Sequence, residues 1–241
     1  GDPHPRVHQD RRVHADHVVA VSEELKRESI SFGIPKEKIT VIHNPLDLQA
    51  IDQLKRVEIE SHKPFILFVG RLCKQKNLPL LFHAFHLIKD RWDVNLLILG
   101  RGEEEIPLRT LVKTLGIEKR VLFQGYAFNP YPYMSQAQLF ALSSNYEGFP
   151  CVLLEAMACG TPIISTNCPH GPNEIIRDGV NGFLVSMGDP RKLAEAIQKI
   201  LADKTLREKF VEQGHKDIHS YELNAIVRKY ETLIMDVYSK H

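Results

Sequence analysis

The sequence lacks the marks of several large protein classes. Its 31 Lys and Arg residues nearly balance its 30 Asp and Glu residues, and a net charge of +1 gives no support to bulk binding of nucleic acid. No apolar run approaches the ~20 residues that a transmembrane helix needs, and no signal peptide is visible at the start. We therefore expect a cytoplasmic protein that binds no nucleic acid.

Metal-binding patterns are also scarce. Four cysteines without metal-ligand spacing are present: Cys73, Cys151, Cys159 and Cys168. We expect free thiols, as in a reducing compartment. His14 and His17 have an i, i+3 spacing that a metal could use, but without a carboxylate or cysteine partner a solvated helix face is favoured. No Asp-x-Asp pair occurs in the chain.

What the sequence does contain is a regular alternation of strand-like and helix-like segments. Between residues 63 and 185 the order is β-α-β-α-β-α-β-α-β-α-β, which predicts an α/β fold with a doubly wound parallel, Rossmann-like sheet. The predicted strands are Lys63–Arg71, Asn95–Leu99, Arg120–Gln124, Leu139–Ser143, Ile163–Ser165 and Gly182–Val185. The predicted helices include Leu78–Lys89, Leu108–Leu115, one from Asn173 towards Arg177, and three at the end, Pro190–Leu201, Lys204–Ser220 and Tyr221–Tyr238.

Glycine-containing loops follow the predicted strands. They contain Gly70, Gly100, Gly102, Gly125, Gly148 and Gly171. In open parallel sheets, ligands bind in the crevice outside the carboxyl ends of the strands. We therefore expect these loops to meet around one ligand.

Two carboxylates, Glu147 and Glu155, are separated by seven residues across a loop-to-helix junction. Pro150 suits the first helical turn, so the loop before it would present free N–H groups and the positive end of the helix dipole to an anion. Glu155 would lie deeper along the helix and could accept the two vicinal hydroxyls of a ribose. A solvent-facing Glu155 is the alternative, but its apolar neighbours favour an enclosed and partnered carboxylate.

Two cations follow the strand that ends at Gly70. Arg71 and Lys76 stand five residues apart in a strand–loop–helix junction, which suits a diphosphate, with the arginine as a fork and the lysine as a point charge. An ordinary charged surface loop is the alternative. The Gly100-Arg101-Gly102 turn lacks the third glycine of the dinucleotide fingerprint, so NAD is not inferred.

Together these residues resemble the C-terminal half of a retaining glycosyltransferase of GT-B architecture, in the group of bacterial mannosyltransferases, sucrose synthase and polysaccharide transferases. The motifs that carry the resemblance are Gly70-Arg71-Leu72 with Lys76-Asn77, Gly125-Tyr126, Glu147-Gly148-Phe149-Pro150, Glu155-Ala156-Met157-Ala158, Gly171 to Ile176 and Gly179 to Val185. The segments Asn129 to Tyr133 and Cys168 to Pro172 resemble the branch that builds capsule, lipooligosaccharide and protein-glycan chains, which commonly uses UDP-sugars.

The resemblance implies a role for each matched position. Three residues would be catalytic: Arg71, Lys76 and Glu147. Eight would bind the donor: Gly70, Gly125, Tyr126, Gly148, Phe149, Pro150, Cys151 and Glu155. The donor would be a nucleotide sugar, with UDP favoured over GDP by this resemblance, and the acceptor a hydroxyl of a glycan or a lipid-linked glycan. We expect no obligatory metal, because cations and the helix dipole would neutralise the leaving diphosphate.

The resemblance also implies four regions: a remnant of an N-terminal domain with the interdomain hinge (1–45), a connector (46–62), the nucleotide-sugar-binding domain (63–220) and a C-terminal crossing helix (221–241). The full architecture has a further N-terminal acceptor domain. We therefore expect that missing domain, a partner subunit, or self-association to cover the last helix. A lipid-linked acceptor would place the protein peripherally at the inner membrane face.

A nucleotide-sugar-binding module that is inactive without a separate acceptor domain is the alternative function. An epimerase or a phosphorylase of GT-B architecture is less favoured. The sequence shows no clear acid–base pair for the first and no recognisable pyridoxal lysine for the second.

Overall fold

The computed structural model describes residues 15–59 and 64–239. His14 and Lys63, which take part in the sequence predictions, lie outside these residues. The first described segment contains strand β1 (Val18–Ala20), helix α1 (Glu23–Ser31) and strand β2 (Ile39–Val41). The two strands pair in parallel, and Ala20, Ile34 and Ile39 form a small core of their own.

A six-stranded parallel sheet forms the centre of the molecule. Its strands are β3 (Phe65–Val69), β4 (Asn95–Leu99), β5 (Val121–Gly125), β6 (Leu139–Leu142), β7 (Ile163–Thr166) and β8 (Phe183–Val185). Their order in the sheet is β5-β4-β3-β6-β7-β8, and every neighbouring pair is parallel. The predicted doubly wound, Rossmann-like fold is confirmed.

Helices cover both faces of this sheet. They are α2 (Leu48–Leu54), α3 (Leu78–Ile88), α4 (Glu105–Thr114), α5 (Tyr131–Gln136), α6 (Cys151–Ala158), α7 (Pro172–Ile175), α8 (Pro190–Ala202), α9 (Lys204–Ile218) and α10 (Leu223–Tyr238). A short 3-10 turn, His219–Tyr221, separates the last two. None of the described helices combines the length and the apolar character that crossing a membrane requires.

The apolar pattern explains why these elements form. The β6 residues are all buried, as expected for a central strand covered on both faces. In α3, Leu81, Phe85 and Ile88 recur at helical spacing and are fully buried, so they form the face of the helix that packs into the core.

Several predicted boundaries were wrong by one to three residues, and three of them have a clear local cause. Helix α4 begins at Glu105, three residues before Leu108, because Pro107 falls in the first turn, where its missing N–H is not needed. Pro150 is the residue before α6 rather than part of its first turn. Helix α7 ends at Ile175, because Ile176 is extended and the Asn181 side chain, 2.8 Å away, takes the N–H of Arg177.

The segment after β2 is packed rather than loose. Ile51 of α2 is 2% exposed and belongs to the main core. Leu46 donates its N–H to the carbonyl of Tyr221 at 2.7 Å and accepts the N–H of Leu223 at 2.9 Å. The start of α10 is therefore fastened to the chain that leaves the small N-terminal sheet.

Candidate functional site

The sheet order creates a crevice between β3 and β6. The chain winds from β3 through β4 to β5 on one side, and from β6 through β7 to β8 on the other. The loops that leave the carboxyl ends of β3 and β6 therefore stand side by side at the point where the winding reverses, which is where open α/β sheets bind ligands. Arg71 and Lys76 lie in the first loop, and Glu147 to Pro150 lie in the second.

An ion pair joins these two loops. Lys76 Nζ lies 2.6 Å from Glu147 Oε1, and the Ser144 hydroxyl donates to the same carboxylate oxygen at 2.5 Å. The two charged side chains are 16% and 7% exposed. Ser143 adds a hydrogen bond from its hydroxyl to the Lys76 carbonyl at 2.9 Å. Glu147 thus lies below the surface of the crevice.

A cavity of about 450 Å³ opens beside the first loop. It is lined by Val69, Gly70, Arg71, Leu99, Gly100, Arg101, Tyr126 and Ala127. Three predicted site residues, Gly70, Arg71 and Tyr126, therefore share one cavity. Lys76 adjoins it, because a Cβ on Gly70 would lie 3.6 Å from the lysine Cε. The Lys76–Glu147 pair thus lies next to Gly70 at the edge of the cavity.

Close backbone packing shapes the cavity wall. Gly100 has φ +145°, and a Cβ at this position would lie 1.8 Å from the carbonyl oxygen of Gly70. Gly102 has the same relation to the Leu72 carbonyl, at 2.2 Å. The two loops touch backbone to backbone, which only glycine permits here. The Gly100-Arg101-Gly102 turn therefore has a packing role of its own.

The start of α6 lies in the second loop. Pro150 is buried and packs against Gly171, where a Cβ would lie 2.7 Å from the proline Cδ. The Cys151 N–H is already bonded to the Phe149 carbonyl at 2.9 Å. The N–H groups of Gly148 and Phe149 donate no hydrogen bond within the described residues. The free donors that an anion needs are therefore these two, which lie in the loop before Pro150 as the sequence predicted, whereas the Cys151 N–H is already used.

The Phe149 side chain faces away from the crevice. Its ring is 7% exposed, stacks on His43 with centroids 4.9 Å apart, and approaches Tyr221 at 5.8 Å. A donor could meet the backbone of Phe149, whereas its ring joins the segment after β2 to the start of the C-terminal helix. His43 was not predicted as part of the site, and only its position directly after a strand could have drawn attention to it.

Glu155 lies one turn into α6 and is half-buried. Burial raises the pKa of its carboxyl group. Burial also raises the pKa of Tyr131, and the charge of Glu155 adds to that shift, which places the phenol near the carboxylate. The carboxylate has no hydrogen bond or ion pair with any other described residue. The predicted enclosure of Glu155 is confirmed, and the partner predicted for its carboxylate, a pair of ribose hydroxyls, stays a prediction.

Cys151 lies close enough to Glu155 and Glu147 for both carboxylates to act on its thiol. Burial raises the pKa of its thiol, and the charges of Glu155 and Glu147 both contribute in the same direction. Asn44 donates to its sulfur at 3.4 Å.

All four cysteines are free. Among the residues that the structure describes, no cluster of three or more His, Cys, Asp or Glu side chains could hold a metal.

Comparison with known proteins identifies the family of the chain. Residues 50–217 match the family described as Glycosyl transferases group 1, and residues 4–50 match the one described as Glycosyltransferase Family 4. The chain is 33% identical over 198 residues to N-acetylgalactosamine-N,N'-diacetylbacillosaminyl-diphospho-undecaprenol 4-alpha-N-acetylgalactosaminyltransferase of Campylobacter jejuni, covering 82% of this chain and 54% of that protein.

Two further relatives extend the comparison. N-acetyl-alpha-D-glucosaminyl L-malate synthase of Bacillus anthracis is 33% identical over 92% of this chain and 60% of its own length. The crystal structure of Anabaena Alr3699/HepE in complex with UDP-glucose superposes with a TM-score of 0.85 at 25% identity, covering 95% of this chain and 67% of that one. The chain thus spans little more than half the length of the two curated relatives.

Proposed function

The chain belongs to the family of glycosyl transferases group 1, and from this premise we propose that it is the donor-binding part of a retaining glycosyltransferase that uses a UDP-sugar. The observation that carries the proposal is the junction between the loops after β3 and β6. There Lys76 and Glu147 meet at 2.6 Å beside the cavity that contains Gly70 and Arg71. The relative with bound UDP-glucose supports the choice of donor.

In the proposed complex the diphosphate lies over Arg71 and Lys76. Its oxygens also accept the N–H groups of Gly148 and Phe149, which have no other acceptor among the described residues. Cations and oriented N–H groups stabilise the negative charge that grows on the departing diphosphate. Glu147 contacts the hydroxyls of the donor sugar while it balances the Lys76 charge. These groups act in the bond-breaking step.

The nucleoside of the donor extends from the diphosphate, with its ribose at Glu155 and its base at Gly125 and Tyr126. Glu155 accepts the two ribose hydroxyls, and its carboxylate has no competing partner among the described residues. The base lies beside Gly125 and Tyr126, the second of which lines the cavity. The acceptor hydroxyl attacks the anomeric carbon on the face that the diphosphate leaves, and a leaving phosphate oxygen takes its proton. The configuration at the anomeric carbon is thereby retained.

For the acceptor we propose a hydroxyl of a lipid-linked or polysaccharide glycan. The Campylobacter relative is named for transfer to a diphospho-undecaprenol-linked sugar, and it is 33% identical over 198 residues. Such an acceptor would bring the protein to the inner face of a membrane. The acceptor-binding part would come from the remaining length of a complete enzyme, or from a partner.

Calorimetric titration with UDP, GDP and inorganic phosphate tests the donor site. We expect UDP to bind more tightly than GDP. Glu155→Gln should weaken UDP binding by about tenfold while phosphate binding stays unchanged, because the side chain touches only the ribose. Glu195→Gln, an exposed residue of α8, is the matched control. Equal losses for UDP and phosphate would contradict the role given to Glu155.

A transfer assay separates the enzyme from a pure binding module. The chain alone should bind UDP without catalysing transfer, and addition of the acceptor-binding part should restore turnover. Turnover that stays absent with that part present, while UDP still binds, would favour the binding module. NMR of the newly formed linkage reports directly whether the anomeric configuration is retained.

A further inference from the structure

Two glutamates from distant parts of the chain, Glu24 and Glu174, each accept hydrogen bonds from the segment that contains the other. The Glu174 carboxylate of α7 accepts the N–H of Glu23 at 2.9 Å and the N–H of Glu24 at 3.2 Å. In return the Glu24 carboxylate accepts the N–H of His170 and the side-chain amide of Asn173, the latter at 3.4 Å. We call this reciprocal arrangement of Glu24 and Glu174 the glutamate clasp.

The clasp supplies hydrogen-bond acceptors to the first N–H groups of helix α1. The first N–H groups of a helix lack partners within the helix, and the positive end of its dipole attracts a carboxylate. Ser22 satisfies one of these groups, by accepting the N–H of Leu25 at 3.2 Å. Glu174 satisfies the two before it. Its side chain is only 16% exposed, and His43 approaches it at 3.4 Å.

The other half of the clasp fixes the loop after β7. His170 has φ +66°, a left-handed conformation that is strained for a residue with a side chain. The carboxylate of Glu24 holds the N–H of this strained residue. On either side of it, Pro169 accepts the Glu147 N–H at 3.0 Å and Gly171 packs against Pro150. Placing His170 therefore places Glu147 and the start of α6.

We propose that Glu24 and Glu174 are positioning residues. They couple helix α1 of the N-terminal segment to the loop after β6, which contains Glu147 and the Gly148 and Phe149 amides. When the hydrogen bonds of the clasp are formed, the loop after β7 holds Glu147 and the Gly148 and Phe149 amides in the geometry that binds a diphosphate. When α1 moves away, both carboxylates lose their N–H donors and the support relaxes. This inference rests on the proposed function, since it concerns the same donor site.

Amide hydrogen exchange and UDP titration test the coupling in this chain. Glu24→Ala should raise exchange at the Glu147 and His170 amides and weaken UDP binding by about tenfold. Glu24→Gln keeps an acceptor oxygen of equal reach and should recover much of both losses. Glu28→Ala removes a charge from the exposed face of the same helix and should change neither quantity.

The pattern of exchange separates coupling from simple capping. If Glu24→Ala leaves the Glu147 amide protected and UDP affinity unchanged, the clasp caps a helix and the proposal is overturned. Glu174→Ala should expose the Glu23 and Glu24 amides and also the Glu147 amide. Adding Glu24→Ala to it should give less than the sum of the single effects, since the two residues act as one unit. Fully additive effects would count against the clasp.

The two proposals fail in distinguishable ways. An unchanged chain that binds no UDP contradicts the proposed function, but the exchange at Glu147 still reports whether the clasp supports the loop. An unchanged chain that binds UDP, with exchange at Glu147 insensitive to Glu24→Ala, contradicts the clasp alone.

Discussion

At the scale of single residues, the pairing of Lys76 with Glu147 is the main electrostatic feature of the crevice. The side chains are 16% and 7% exposed, so each charge would be costly to keep without the other. The pair also leaves the lysine beside the cavity, near Gly70. A diphosphate arriving there meets a cation whose position is already fixed by the carboxylate, which is how a preorganised site lowers the cost of binding.

Removing the lysine alone should therefore be costly. Lys76→Met is expected to lower the free energy of unfolding by about 3 kcal/mol, because Glu147 is left as an uncompensated buried charge. Urea unfolding measures the loss. Lys216→Met, which breaks an exposed ion pair of similar length with Glu212, should change the free energy of unfolding far less, because solvent screens both charges.

The double variant Lys76→Met with Glu147→Gln should recover a large part of this loss, because no unpaired charge remains. A double variant that is as unstable as Lys76→Met would show that the cost comes from packing rather than from the carboxylate.

Glu155 should make donor binding depend on pH. Burial raises its pKa above the ordinary value of 4.5, so acidification through that raised pKa neutralises the carboxylate and removes one acceptor for the ribose hydroxyls. We expect UDP affinity to fall as the pH is lowered through this range. The phosphate of UDP titrates as well, so the comparison is made with Glu155→Gln, in which the step due to the carboxylate should be absent.

The raised pKa of Glu155 gives the free energy of unfolding a pH dependence opposite to that of UDP binding. Because the folded state holds the Glu155 proton more tightly than the unfolded state, its contribution is greatest below pH 4.5 and is lost as the pH rises through the raised pKa. Urea unfolding across this range in the unchanged chain and in Glu155→Gln measures it. A Gln variant with an unchanged pH profile for both binding and stability would contradict the assignment.

Some of these residue-level facts could be predicted and others could not. The apolar neighbours of Glu155 predicted its enclosure, because they leave little polar surface on α6. Among the described residues its carboxylate has no hydrogen-bond partner, and this could not be predicted, since a partner depends on which distant segments fold nearby. For the same reason the hydrogen bond between Glu174 and Glu23, 151 positions apart, has no local signature in the sequence.

At the scale of secondary-structure elements, periodicity was a sufficient guide to type and order. The continuous apolar runs of β3 and β6 identify central strands, and the three-to-four spacing in α3 identifies a buried helix face. Boundaries were less predictable. The start of α4 depends on where a proline is tolerated, and the end of α7 depends on Asn181, a residue outside the helix.

The contact between the loops after β3 and β4 should be very sensitive to added bulk. Gly100→Ala places a methyl group 1.8 Å from the Gly70 carbonyl oxygen, so we expect a loss of stability and of UDP affinity. Gly116→Ala is the matched control, because its φ of +63° carries a conformational cost but nothing lies within 4 Å of the new methyl.

The control should lose about 1–2 kcal/mol of the free energy of unfolding. Gly100→Ala should lose about 1–3 kcal/mol more, because it also forces the two loops apart. Equal losses in thermal or urea unfolding would mean that the loops can separate freely, which would weaken the case for a preformed cavity wall.

At the scale of the whole molecule, the C-terminal helix leaves an apolar surface exposed. Of its residues only Ile226 is buried, whereas Leu223, Val227, Tyr230, Ile234, Met235 and Tyr238 are each at least 37% exposed. The chain also spans 54% and 60% of the length of its two curated relatives. An exposed apolar surface of this kind normally contacts another protein surface. In a solution of the isolated chain, the available partner is a second copy of the chain.

We therefore expect the chain to self-associate through α10. Sedimentation velocity at increasing concentration should show a shift to a larger species. Ile234→Glu should move the equilibrium towards the monomer, because it places a charge within the apolar surface. Thr232→Glu adds the same charge on another face of the helix and should leave the association unchanged. A sharp monomer at all concentrations would contradict this prediction, and an equal effect of both substitutions would show that charge, rather than the apolar surface, controls the association.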